Sequence, residues 1–215
     1  MAWLQKRNQI NVVASSFSMG MNKTLLIVGL GNPGANFNNT RHNIGFECID
    51  YFANTVEEIG EWTKQKNLDV QIARGNLSDK GIFLIKPQTF MNNSGVAVQK
   101  VANYYKIGYS DILIVHDEID LDFGQIRTKF GGGNAGHNGI KSIEQALSSK
   151  EFNRIRIGIK NDILAKSEAK DFVLNKFDKD ENNKLIDLKK EVSSLIMEFI
   201  YSEGQITSET RSFLY

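Results

Sequence analysis

Thr24–Leu30 reads TLLIVGL, an unbroken apolar run closed by glycine. A strand with one wet face would alternate, so this run needs burial on both faces, as in the centre of a sheet covered by helices. Ile112–Val115 has the same character. Elsewhere the apolar spacing is helical. From Asn43 to about Thr55 it is carried by Ile44, Ile49 and Phe52, over Ser94–Tyr105 by Val98, Val101, Ala102 and Tyr105, and over Asn138–Leu147 by Ile140, Ile143 and Leu147. Lys170–Phe177 and Asp180–Ser202 are further helices, the second long and amphipathic. Val70–Ala73 and Ile82–Ile85 are short strands around a turn at Ser78–Gly81. Gln125–Phe130 alternates and runs into GGGNAGHNG, and Arg154–Ile159 (RIRIGI) alternates as a half-exposed strand. Strands alternating with helices predict an α/β fold: a single three-layer domain with a central mixed, mostly parallel sheet flanked by helices.

No repeat or low-complexity linker interrupts this pattern, so residues 21–215 read as one domain. Residues 1–20 contain no long apolar stretch of the kind a secretory signal needs. They are expected to be a leader or a disordered extension that can be trimmed without loss of activity. The net charge is only +1, so any surface that binds nucleic acid must be a local patch. The single cysteine, Cys48, excludes an internal disulfide and suits a reducing compartment, here the cytoplasm. No apolar run reaches the ~20 residues of a membrane-spanning helix, so no membrane partner is expected.

Gly29-Leu30-Gly31-Asn32-Pro33-Gly34 matches the GxGxxG spacing of a dinucleotide-binding turn. In that motif the helix begins within the glycines, so that its first amides face a pyrophosphate. Here Pro33 and then Asn36-Phe37-Asn38-Asn39 continue as a loop, and helical spacing resumes only near Asn43. Asp50 has roughly the spacing of the expected acidic residue but falls inside a helix. A nicotinamide site is therefore the lesser reading.

More specific is a set of polar segments, each expected to follow a buried strand, where α/β folds place their sites. They are Asn32-Pro33-Gly34, Thr40-Arg41-His42-Asn43, Thr89-Phe90-Met91-Asn92, Val115-His116-Asp117-Glu118 and Gly131–Gly139. In context these read IVGLGNPGANFNNTRHNIGF, KPQTFMNNSG, ILIVHDEIDL, KFGGGNAGHNG and FNRIRIGI, with KDFVL ahead of the last long helix. In order and spacing they resemble the bacterial-type peptidyl-tRNA hydrolases, over about Met21 to Tyr215.

The resemblance implies hydrolysis of the ester between a peptide, or an N-blocked aminoacyl group, and tRNA. It makes His42 the catalytic base and Asp117 the carboxylate that holds it. The chemistry is coherent in itself. A neutral imidazole with a pKa near ~6.5 can take a proton from water, and a carboxylate on its other nitrogen fixes the tautomer. The structural alternative for His42 is a cap on the helix that follows. Asn32 and Asn92 would bond the peptide carbonyls and, for Asn92, the water; Asn32 would help separate blocked from free aminoacyl groups. Carboxamides suit such work because they donate and accept without charge. A turn residue before Pro33 is the competing role for Asn32. Asn138 would contact substrate beside the ester or the terminal adenosine, and as an alternative would N-cap its helix.

Lys129 and Arg156 match the pair that holds the tRNA 5′-phosphate in that family, and adjacent strands would let them converge. Each alone would be an ordinary surface cation. Phe37 and Phe90 are implied to offer apolar surface to the substrate. Phe90 could equally be core, and Phe37 stands where the family often has tyrosine, which puts a hydroxyl contact in doubt. His116 is expected to point away from Asp117 by strand alternation and to be structural. His137 is expected to shape the cleft. A metal site is not expected, because no HxxxH or HxH spacing occurs and Cys48 is alone. The acidic run Glu118, Asp120 and Asp122 reads as a solvated loop. No cofactor is expected, the partner is peptidyl-tRNA (acceptor end, 5′-phosphate and nascent peptide), and a monomer is expected. A dinucleotide-dependent oxidoreductase and a non-catalytic RNA-binding module of the same fold are the competing classes. NAD(P) titration would reveal the first, and salt-dependent tRNA binding without ester cleavage the second.

Overall fold

The computed structural model describes residues 23–162, 164 and 168–212. The segment expected to be a leader, residues 1–20, lies outside them. The strands are β1 (Lys23–Gly29), β2 (Thr63–Gln65), β3 (Val70–Leu77), β4 (Lys80–Pro87), β5 (Ile112–Asp122), β6 (Gln125–Phe130), β7 (Asn153–Lys160) and β8 (Thr210–Ser212). The helices are α1 (Ile44–Thr55), α2 (Ser94–Tyr105), α3 (Asn138–Leu147), α4 (Ala169–Leu174) and α5 (Lys179–Tyr201). The strands form one sheet in the order β2-β3-β4-β1-β5-β7-β6-β8. Its four central strands, β4, β1, β5 and β7, are parallel. Antiparallel strands flank them on both sides.

Strand β1 shows why its sequence is apolar at every position. Leu25 and Ile27 enter the core under α1 and α5, while Leu26 and Val28 enter the opposite core under α2 and α3. The two clusters are the two interfaces of a three-layer α/β domain. Helix α1 lies close on β1 because both glycines at the crossing are required. A Cβ on Gly45 would come within 2.3 Å of the Val115 carbonyl oxygen, and one on Gly29 within 2.5 Å of the Gly45 oxygen. The glycines of the GxGxxG look-alike thus admit a helix and a ring: Gly31 faces Phe46, 2.8 Å from where a Cβ would be.

Several elements differ from expectation. The segment RIRIGI is buried at all but Arg156, not half exposed, because β7 is an interior strand between β5 and β6. Strand β5 runs on to Asp122 with an irregularity after Glu118, so the acidic run is strand and Glu118 is buried, rather than a solvated loop. The hairpin strands β3 and β4 are longer than their apolar centres, and α4 ends at Leu174 instead of Phe177. The short edge strands β2 and β8 carry no periodic signal, since three residues are too few to show one.

Candidate active site

The polar segments converge from four strands: Asn32 and His42 follow β1, Asn92 follows β4, Asp117 lies within β5, and the glycine-rich segment follows β6. After Gly29 the chain passes Ala35–Phe37 and reaches a 3-10 turn, Arg41–Asn43, that leads straight into α1. A second such turn, Met91–Asn93, leads into α2. His42 sits in the first and Asn92 in the second. Asn43 locks the β1 loop to the first turn: its Oδ1 accepts from the Asn32 backbone at 2.8 Å and its Nδ2 donates to the Asn32 carbonyl at 2.9 Å. The Asn32 side chain in turn accepts from the Met91 amide at 2.8 Å. The two site turns are therefore bound to each other through Asn32, with its Oδ1 engaged and its Nδ2 left to donate.

His42 and Asp117 are in contact across 75 residues of sequence. The His42 Nδ1 lies 3.0 Å from each carboxylate oxygen. An ionised carboxylate only accepts, so Nδ1 carries the proton and Nε2 keeps a free lone pair. His42 is not a helix cap: α1 has no side-chain cap bond. Asp117 is 2% exposed, and an unpaired charge so deep would be costly. It receives a second N–H, from His137 Nε2 at 3.0 Å. Burial would raise its pKa, but the two imidazoles and their hydrogen bonds outweigh that and hold it well below the usual carboxylate range. Burial would likewise depress His42, and the charge and hydrogen bond of Asp117 prevail, leaving its pKa above the ordinary value.

His137, not Asn138, caps α3. Its Nδ1 accepts from the amides of Gly139 at 3.1 Å and Ile140 at 3.3 Å. The cap leaves Asn138 exposed at the helix start, where it lines a cleft of about 300 Å³ with His42, Asp117, Ile119, Ala169 and Val173. His116 is fully buried, donates from Nδ1 to the Asp117 carbonyl at 2.7 Å and sets its ring 4.8 Å from that of His137. Burial first, then the neighbouring His137, keeps it neutral. His42 and His137 thus share one carboxylate, while His116 bonds the backbone carbonyl of the same residue. The ligating atoms of His42, Asp117 and His137 lie within 4.8 Å of one another, close enough to hold a cation. In the arrangement present they satisfy each other by hydrogen bonds, and the lone pair left over belongs to His42.

The two phenylalanines meet at the mouth, rings edge to face with centroids 6.1 Å apart. Phe90 is 60% exposed and is not core. Asn92 is exposed, with no side-chain hydrogen bond among the described residues. Lys129 and Arg156 share a sheet face but are diagonal. Register sets Lys129 opposite Arg154, and Arg156 opposite Arg127. Arg156 is held by Glu118, with Nε to Oε2 at 2.9 Å, whereas Lys129 is exposed. Sequence reasoning passed over Arg154, which is 2% exposed and donates to the carbonyls of Gly131 and Gly133, tying down the glycine-rich loop. It also passed over Asn43 and Arg41, although both stand inside the quoted TRHN motif.

Fold and site together define a three-layer α/β protein whose cleft holds one imidazole with a free nitrogen on a buried carboxylate. The family profile for peptidyl-tRNA hydrolase matches residues 26–213, and the chain belongs to that family. A peptidyl-tRNA hydrolase of Pelagibacter ubique is 42% identical over 172 residues, 80% of this chain and 88% of that protein. One from Mycolicibacterium gilvum is 41% identical over 191 residues, 87% of this chain and 97% of the other. The crystal structure of peptidyl-tRNA hydrolase from Acinetobacter baumannii superposes with a TM-score of 0.77 at 34% identity, covering 85% of this chain and 91% of that one. The chain is thus a hydrolase of this family, and among the described residues no helix is long and apolar enough to cross a membrane.

Proposed function

We propose that the chain cleaves the ester joining a peptide, or an N-blocked aminoacyl group, to tRNA, with His42 as general base. The observation that carries this is the free Nε2 of His42, left over when Nδ1 donates to Asp117 and facing the cleft that Asn138 lines. Nε2 takes a proton from water as the oxygen attacks the ester carbonyl. Asp117 holds the imidazolium that forms. Collapse of the tetrahedral intermediate expels the ribose oxygen, which receives that proton. The products are a carboxylic acid and free tRNA, and no metal is needed. Asn92 and Asn138 offer unengaged amides to the water and the carbonyl, Asn32 offers its Nδ2 to the peptide, and Phe37 with Phe90 supplies apolar surface. Lys129 and Arg156 anchor the 5′-phosphate, with Arg156 presented by Glu118. The cellular role on this reading is cytoplasmic recycling of tRNA from peptidyl-tRNA released early by ribosomes, by a monomer of one domain, residues 21–215.

The test is release of tRNA from N-acetyl-aminoacyl-tRNA beside the unblocked ester. The blocked substrate should be cleaved and the unblocked one spared, because a free ammonium would be desolvated near Asn32. His42→Ala should lower turnover by about 10²–10⁴-fold while retaining tRNA binding. Wild-type turnover in that variant would remove the assignment.

A further inference from the structure

The cleft that His42 faces carries one charge that the proposed chemistry leaves unused. Its walls are the start of α3, with His137 and Asn138, and helix α4, with Ala169, Lys170 and Val173. Asn32, Phe37 and Phe90, which the hydrolase reading gives to the peptide, are not part of its lining. The cleft therefore lies on the tRNA side of the ester, and its volume of about 300 Å³ suits one nucleoside. Two carboxylates line it, and both are already engaged within the fold. Asp117 accepts from His42 and His137 at 3.0 Å each, and Glu118 accepts from Arg156 Nη2 at 2.8 Å. Among the described residues that line the cleft, Lys170 is the only lysine or arginine. Its Nζ meets Glu168 at 3.0 Å, but the two side chains are 75% and 74% exposed, and Glu168 is not part of the lining. A pair so open to water is held weakly and exchanges readily for another anion.

Helix α4 is fixed relative to His42. Phe172, between Lys170 and Val173, is fully buried, and the guanidinium of Arg41, the residue before His42, lies 4.6 Å from its ring centroid. The lysine is thereby presented at the rim of the cleft that holds the base. The ribose that bears the ester also carries a phosphodiester on its 5′ oxygen, so one sugar ring separates that anion from the reacting carbonyl. We infer that Lys170 binds the phosphodiester joining the terminal nucleotide to the rest of the tRNA, its Nζ donating to a phosphate oxygen in place of Glu168. This anchor is separate from Lys129 and Arg156, which lie on β6 and β7 and which the hydrolase reading gives to the 5′-phosphate. It holds the nucleotide that carries the ester, and so sets where the carbonyl rests against His42. The inference rests on the hydrolase reading and extends it.

The test compares N-acetyl-aminoacyl-tRNA with the same substrate carrying one uncharged methylphosphonate in place of its last phosphodiester. Both keep the 5′-phosphate, so the Lys129 and Arg156 anchor is the same in each. With the full chain, the methylphosphonate should raise KM by about three- to five-fold, the scale of one exposed charge pair. Lys170→Gln should raise KM for the native substrate by a similar factor and bring the ratio between the two substrates to about one, as a double-mutant cycle requires of two groups in contact. Lys170→Arg should keep the ratio. The slope of log KM against log salt should fall by about 0.7 in Lys170→Gln, the amount for one phosphate contact on a single strand. Equal KM values for the two substrates with the unaltered chain, or a ratio that survives in Lys170→Gln, would overturn the contact. If the native substrate is cleaved and the ratio is one throughout, the contact alone fails; if it is not cleaved, the hydrolase reading fails and the contact with it.

Discussion

As the proposed general base, His42 must be neutral to accept a proton, yet the carboxylate bound to it favours the charged form. Burial acts the other way, and the balance leaves its pKa raised. The acid limb of the kcat/KM profile should therefore fall above the ~6.5 of a free imidazole, activity rising as pH passes through that value. Asp117→Asn removes the charge and leaves burial unopposed, so the limb should shift below ~6.5 while the rate on the plateau drops. A limb that does not move between the two proteins would mean that another group titrates. The same balance has a stability sign. A raised imidazole pKa stabilises the fold at low pH and ceases to do so as pH rises through the folded value. Asp117, held low, stabilises above its unfolded pKa, and that contribution goes as pH falls toward the folded one. Phe37 keeps ring contact with Phe90 without a hydroxyl, so surface rather than hydrogen bonding is what this position offers.

Among elements, the site depends on how closely helices approach. Helix α2 begins just after the Asn92 turn and meets α3 backbone to backbone: the Gly95 amide donates to Ser142 Oγ at 3.0 Å, and a Cβ there would lie 2.1 Å from the Ser142 carbonyl oxygen. Neither side is a flexible tip that can swing away. Gly95→Ala should therefore cost about 1–3 kcal/mol through overpacking. Thermal unfolding checks this, at about 2–4 °C per kcal/mol for a chain of this size. An unchanged melting temperature would show that the two helices can separate freely. Helix α3 also brings His137 and Asn138 to the cleft, because its cap is a histidine whose other nitrogen reaches Asp117.

For the whole molecule, the residue before His42 is the link to the C-terminal third. Arg41 and Glu181, 140 residues apart, form a buried bidentate pair at 2.9 and 2.6 Å. The guanidinium lies 4.6 Å from the Phe172 ring centroid and 4.8 Å from that of Phe177. Glu181 also receives Asn161 Nδ2 at 2.8 Å and, as half of a capping box, the Asp178 amide at 2.9 Å. Helices α4 and α5 are thus closed onto the turn that carries His42. Glu181→Ala strands a buried guanidinium and should cost about 3–5 kcal/mol in urea unfolding, whereas Arg41→Met/Glu181→Leu together should recover most of that loss. A single-variant loss under about 1 kcal/mol would mean that the pair is dispensable. Lys129, exposed and diagonal to Arg156, has no such constraint.

The sequence by itself determined the order of the five helices and of six of the eight strands, the doubly buried character of β1, and the residues of the polar segments, because apolar period and turn chemistry are local properties. It placed α2, β6 and α3 at their observed bounds, where the period is clean. Only the tertiary structure decided which strands adjoin, and so buried the alternating RIRIGI segment and paired Arg156 with Glu118 instead of leaving it free. It also decided that Asp117 serves two imidazoles, that His137 rather than Asn138 caps α3, and that Arg41 is spent on Glu181. The Asp117 and Arg41 contacts depend on groups 20 to 140 residues apart meeting at a buried charge. No local pattern encodes such meetings; burial makes them necessary, since a carboxylate or guanidinium taken from water must find partners wherever the fold supplies them.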